Sequence, residues 1–121
     1  MKKASEFVDN LQEVFRLFGS VQARSMFGGH GIYHDGVMIG LVADDTLYLK
    51  TGPDNAARFA EAGLEPFSYD SKIRRVITSY ARAPDDALED PAILRDWAQG
   101  AIQAARMAAL DKAKGKKDRR G

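Results

Sequence analysis

The stretch "RSMFGGHGIYHDGVMIGLVADDTLYLKT", Arg24 to Thr51, decides the fold. Asp35-Gly36 stands between two β-rich runs, and this dipeptide favours the positive-φ turn that matches strand twist, so "GIYH" and "VMIGLVA" are predicted to pair as a hairpin. In the second run Val37, Ile39, Leu41 and Ala43 alternate with Met38, Gly40 and Val42, which allows one wholly apolar face. Asp44 and Asp45 make the next turn. "TLYLKT" then reads as a strand with Leu47 and Leu49 on one side and Tyr48 and Lys50 on the other. A further strand over roughly Val21 to Phe27 precedes the glycines, and Gly28-Gly29 reads as a bulge or bend that carries Met26 and Phe27 into the core.

Working outward, Phe7, Leu11, Val14, Phe15 and Phe18 recur at helical spacing, with Ser5 as N-cap and Gly19 as the left-handed stop. "GPDNAARFAEAGL" reads as a short helix entered at Pro53 and Asp54 and ended by Gly63. "PFSYD" and "RRVITSYAR" form another hairpin, rich in β-branched and aromatic residues. The final helix opens with Asp90 and Pro91, and Leu94, Trp97, Ala98, Ala101, Ala105 and Ala108 share one of its faces. Gly100 marks a close approach to a neighbour. The order is α-β-β-β-α-β-β-α. Consecutive hairpins and singly striped helices imply an α+β two-layer sandwich, an antiparallel sheet of about five strands with three helices.

The chain of 121 residues is read as one domain over residues 1–110 with a basic, disordered tail over 111–121. From Asp111 onward six basic and two acidic residues give +4, whereas residues 1–110 carry −3. No cysteine is present, which excludes disulfides and thiolate chemistry. Neither a signal peptide nor a run long enough to span a bilayer is found, so a cytoplasmic location is expected, with no membrane partner.

The candidate chemistries fail on spacing. A phosphate loop needs Lys and Ser or Thr after its last glycine, but Ile32 and Tyr33 follow Gly31. A dinucleotide loop would need a third glycine at His34 and a helix where a strand follows. His30 and His34 lie about 13 Å apart along a strand, too far to share one ion unless a bulge folds the chain between them, and no third ligand is indicated. In the simpler reading His30 faces solvent and His34 flanks the turn beside Asp35. Ser25, Ser68, Ser71 and Ser79 lack a nucleophile elbow, and the Asp44-Asp45 and Asp85-Asp86 pairs are explained by turn chemistry. No catalytic, metal or cofactor site is expected. What remains is a surface. Tyr48, Lys50, Tyr69, Arg75 and Tyr80 form an aromatic and basic face if strand registers agree, of the sort that stacks single-stranded bases in some folds.

The Arg-x-Met-Phe-Gly-Gly string (Arg24, Met26, Phe27, Gly28, Gly29), the Leu-Tyr-Leu-Lys string (Leu47 to Lys50), "PFSYDSK" and "SYARAPDDALEDPAILRDWAQGAIQAA" together resemble the amino-terminal domain of the TfoX/Sxy competence regulators, over residues 5–110. The resemblance implies a two-layer α+β domain similar in organisation to type III secretion chaperones, with no enzymatic activity. In full-length regulators it implies a second, helical, nucleic-acid-related domain, the pair assisting a cyclic-AMP receptor protein. The present sequence reads as a stand-alone form of the first domain. The expected role is a non-enzymatic regulatory or protein-interaction module, homodimeric or bound to another protein through the sheet face or glycine segment, with Tyr33 beside the residues named above. The alternative is a nucleic-acid-binding accessory protein that uses the tail and the tyrosines.

Overall fold

The computed structural model describes residues 4–26 and 28–119, with side chains placed over 6–26 and 28–114. Phe27, predicted to enter the core, lies outside the described residues. The elements are α1 (Ala4–Val14), β1 (Gln22–Met26), β2 (Gly29–His34), β3 (Val37–Ala43), β4 (Thr46–Lys50), α2 (Ala56–Glu61), β5 (Pro66–Asp70), β6 (Arg75–Arg82) and α3 (Pro91–Arg119). The six strands form one antiparallel sheet in the order β1-β2-β3-β4-β6-β5. Six strands form where about five were expected, and the strand expected over roughly Val21 to Phe27 pairs with β2 over Gln22–Met26. Ser5 lies inside α1 rather than capping it.

One sheet face carries the core. Ile32, Ile39, Val42, Leu47 and Leu49 pack with Leu11, Val14 and Phe15 of the first helical segment and with Leu94, Ala98, Ala101, Ile102 and Ala105 of α3. The alanines let α3 lie close, as small residues should. Gly100 also marks a close approach: a Cβ there would come within 3.3 Å of Asn55, and one at Gly52 within 3.1 Å of Ala104. Asn55 in turn accepts from the Gly52 N–H and donates to the Lys50 carbonyl, which pins the entry to α2. Trp97 rests on this side of the molecule, edge-on to Phe59 of α2 at 4.9 Å and under the Arg58 guanidinium at 3.8 Å.

The alternation predicted for β3 is broken by a bulge. Ile32 pairs with Gly40 and Tyr33 with Met38, so Ile39 is an extra residue opposite no partner. Its insertion puts Ile39 and Val42 together in the core, while Met38 and Leu41 turn to the other face. Gly28-Gly29 behaves differently from a core-directing bend. Met26 is half-buried on the face away from the helices, not in the core. Gly28 has φ +79° in open space, whereas a Cβ on Gly29 would collide with the Val42 carbonyl. The first glycine supplies a conformation and the second a close approach.

His34 flanks the β2–β3 turn beside Asp35 as expected, Asp35 lying 3.5 Å from its Nε2. It is largely enclosed, tilted against Phe18 at 4.6 Å with its Nδ1 2.7 Å from the Ser20 carbonyl, whereas His30 departs from its expected solvent-facing position. His30 is half-buried with a buried Nδ1 that has no hydrogen-bond partner. Its strand position alternates with the open-face glycines, which directs it inward rather than to solvent. Finally, α3 does not stop at Leu110. Its backbone continues as helix through the basic segment to Arg119, in keeping with the helix propensity of Lys112, Ala113 and Lys114. No helix among the described residues is long and apolar enough to cross a membrane.

Candidate functional site: the uncovered face of the sheet

The face opposite the helices is concave. Met26 on β1, Met38 and Leu41 on β3, Phe67 and Tyr69 on β5, and Thr78 to Tyr80 on β6 line a single groove of about 660 Å³. Only strand residues line it. A second hollow of about 390 Å³ shares Met26, Leu41, Phe67 and Tyr69 and runs on to Gly28 and Gly29. Since β1 and β5 are opposite edges of the sheet, residues of both can line one hollow only if the sheet curls strongly, and the β3 bulge and the register shift between Pro66 and Ser68 supply the bends.

Side chains on this face are arranged in two rows. In one, Tyr48 meets Phe67 at 5.0 Å and Phe67 meets Tyr69 at 6.2 Å, a tilted aromatic chain next to Leu41. In the other, Arg24 lies over the Tyr33 ring at 4.7 Å and Lys50 over the Tyr80 ring at 4.9 Å. Gly31 makes room for the second row, because a Cβ there would press on Met26, Tyr33 and Met38. Lys50 also donates to Ser79 Oγ at 2.6 Å. Burial lowers the Lys50 pKa from the ordinary lysine value. Burial also raises that of Tyr80, with a further rise from the neighbouring Tyr33 phenol. Both shifts have the sign expected where charge is poorly solvated.

The predicted site residues are thus mostly brought together: Arg24, Met26, Tyr33, Tyr48, Lys50, Tyr69 and Tyr80 share this face, with Gly28 and Gly29 at its rim. Arg75 is not on it. It pairs with Asp70 at 3.2 Å and donates to Ser68 at 2.8 Å, on the side of the β5–β6 hairpin away from Tyr69. Phe67, Met38 and Leu41 were missed. Phe67 was legible, being two residues from Tyr69 in a strand, whereas Met38 and Leu41 share a face only because of the bulge. Among the described residues, no three His, Asp or Glu side chains gather as a metal site would require. The chemistry available here is apolar contact, tilted ring contact and two cations over rings, Lys50 partly buried and Arg24 exposed.

A family profile described as TfoX N-terminal domain matches residues 13–105. The chain is also 33% identical over 104 residues to the DNA transformation protein TfoX1 of Aliivibrio fischeri (strain ATCC 700601 / ES114). That alignment takes in 83% of this chain and 50% of the relative, so the chain spans about half the length of the curated relative it matches.

Proposed function

This chain belongs to the TfoX N-terminal domain family, a competence-related regulatory family, and on that premise we propose that it is a non-enzymatic module that acts by binding a protein partner through the concave sheet face. The observation that carries the reading is the curled groove of Met26, Met38, Leu41, Phe67 and Tyr69, on the sheet face away from the helices. Its chemistry names the occupant. An apolar segment fills the groove, and carboxylates along one margin of that segment meet Arg24 and Lys50, whose charges have rings but, among the ion pairs of the described residues, no acidic partner beside them. Aromatic and methionine side chains around a desolvated centre are the usual anchors of such contacts.

The test places a photo-crosslinking residue at Tyr69 in the cell and compares the native groove with Leu41→Asp. Leu41 is partly exposed, so the variant keeps the fold at some loss of stability, and the comparison is made below its melting transition. One heterologous protein crosslinked to the native face and absent from the variant supports the reading. A crosslink confined to a second copy of this chain, or one indifferent to Leu41→Asp, overturns it. The role in DNA transformation stated in the relative's name extends to this chain on the same reading. It is checked by transformation frequency in the host carrying Leu41→Asp at matched protein level, which falls if the groove is the working surface.

A further inference from the structure

Charge in this molecule is sorted by end. The β3–β4 turn brings Asp44 and Asp45 to one end of the sheet, and the Ala83 N–H bonded to the Leu47 carbonyl sets the connection to α3 beside them, with Asp85, Asp86, Glu89 and Asp90. The other end carries an excess of cations, although Asp35, Asp54, Asp70 and Asp111 also lie there. There the β2–β3 turn at Asp35 is paired with Arg106 of α3, so the part of α3 that follows, with Lys112 and Lys114, runs beyond the sheet at this end. The helix from Arg106 to Arg119 extends roughly 20 Å at the usual rise. At the same end the last β4–β6 pair is Lys50 with Tyr80, and the β5–β6 hairpin continues past it to a tip holding Lys72, Ile73 and Arg74, with Arg75 just behind.

That tip is a built structure. Ser71 Oγ accepts the Ile73 and Arg74 N–H groups and donates to the Arg74 carbonyl, and the Ser71 N–H closes on the same carbonyl at 2.8 Å. The turn holds Ile73 outward with 92% of its surface exposed and Ile77 on the flank at 69%. No acidic side chain is paired with Lys72 or Arg74 among the ion pairs of the described residues, while Arg75 is neutralised by Asp70. A large aliphatic residue fixed in full exposure between unpaired cations has no folding role, since it buries nothing.

We infer that this basic end is a two-pronged grip for duplex DNA, the β5–β6 ribbon entering a groove and the α3 extension lying along phosphates. A two-stranded ribbon fits the major groove, where an exposed aliphatic tip makes apolar contact with base edges such as the thymine methyl. The acidic opposite end repels the polyanion, so the whole-molecule field orients the approach. An anionic bilayer is the less favoured occupant, because a membrane surface needs several large apolar side chains at one depth, and the apex offers Ile73 alone, with Ile77 about 13 Å back along the strand. The grip is separate from the sheet groove and does not depend on it.

The experiment measures anisotropy of the full chain on a labelled random-sequence duplex over a salt series. Binding weakens steeply with salt. Lys72→Ala with Arg74→Ala lowers affinity at least ~10-fold at low salt and flattens the log–log salt slope by about 2, one unit for each phosphate no longer neutralised. Ile73→Ala lowers affinity without changing the slope. Lys112→Ala with Lys114→Ala also flattens the slope, whereas Asp85→Asn with Asp86→Asn, at the far end, and Leu41→Asp, in the sheet groove, do not. Melting curves of the ribbon variants match the native chain, as these side chains pack against nothing. Absence of duplex binding at low salt, an unchanged slope in the ribbon variant, or binding confined to phosphatidylserine vesicles would each overturn the inference.

Discussion

Met26 and Tyr69 belong to strands at opposite edges of the sheet, yet they line the same groove. Between them stands Phe67, in tilted contact with Tyr48 and Tyr69, so the curl is held partly by rings on its concave side. Phe67→Ala is expected to destabilise the fold by about 1–2 kcal/mol, less than a buried phenylalanine would, because the ring is only half-buried. Denaturant unfolding checks this, and an unchanged midpoint would show that the backbone bends alone maintain the curl.

Gly28 and Gly29 are adjacent but do different work, and substitution separates them. Gly28→Ala meets no atom and carries only the left-handed backbone penalty, about 1 kcal/mol. Gly29→Ala drives its Cβ into the Val42 carbonyl, forcing β2 and β3 apart, and is expected to lose more than ~2 kcal/mol. Equal losses at the two positions would contradict the close approach.

The β3–β4 turn uses Asp44 at φ +51° and Asp45 at φ +54°, a conformation that non-glycine residues adopt at some expense. The β2–β3 turn has Gly36 at the equivalent second position. Asp45→Gly is therefore expected to stabilise the chain by about 0.5 kcal/mol. A raised denaturation midpoint with an unchanged slope is the signature.

Tyr80 titrates above the ordinary tyrosine value, burial being the main cause. In an alkaline titration followed by phenolate absorbance, Tyr80→Phe should remove a component above about pH 10. Its linkage has a definite sign. The folded state holds the phenolic proton more tightly than the unfolded state, so stability from this group is present below about pH 10 and is lost as pH rises through the raised folded value. Lys50, lowered by burial, works the opposite way: the folded chain is penalised while Lys50 is protonated, and stability rises with pH across the window below its ordinary value. Lys50→Met should remove that rise.

Most of the fold was legible because local signals carried it. Asp35-Gly36, Asp44-Asp45 and Gly63 stand where the chain turns, Leu47 and Leu49 face the core, and the alanines of α3 lie against the sheet. What sequence could not supply was pairing register. The extra residue at Ile39 exists only relative to β2, so nothing in "VMIGLVA" announces that Met38 and Leu41 will share a face. The pairing of Asp70 with Arg75 is likewise fixed by the tip turn at Ser71, and it removes Arg75 from the tyrosines with which it was grouped. The basic segment after Leu110 was read as a tail from its charge, though its lysines and alanine are good helix formers that simply prolong α3.

The chain has one tryptophan, and its position gives the molecule a built-in separation of signals. Trp97 sits between Arg58 and Phe59 on the helix side, with the whole sheet between it and the concave face. Its emission therefore reports the seating of α2 on α3 and stays quiet when something enters the groove, while the four tyrosines, all on the groove side, respond to the occupant. Integrity and occupancy can be read from one unlabelled sample at two colours.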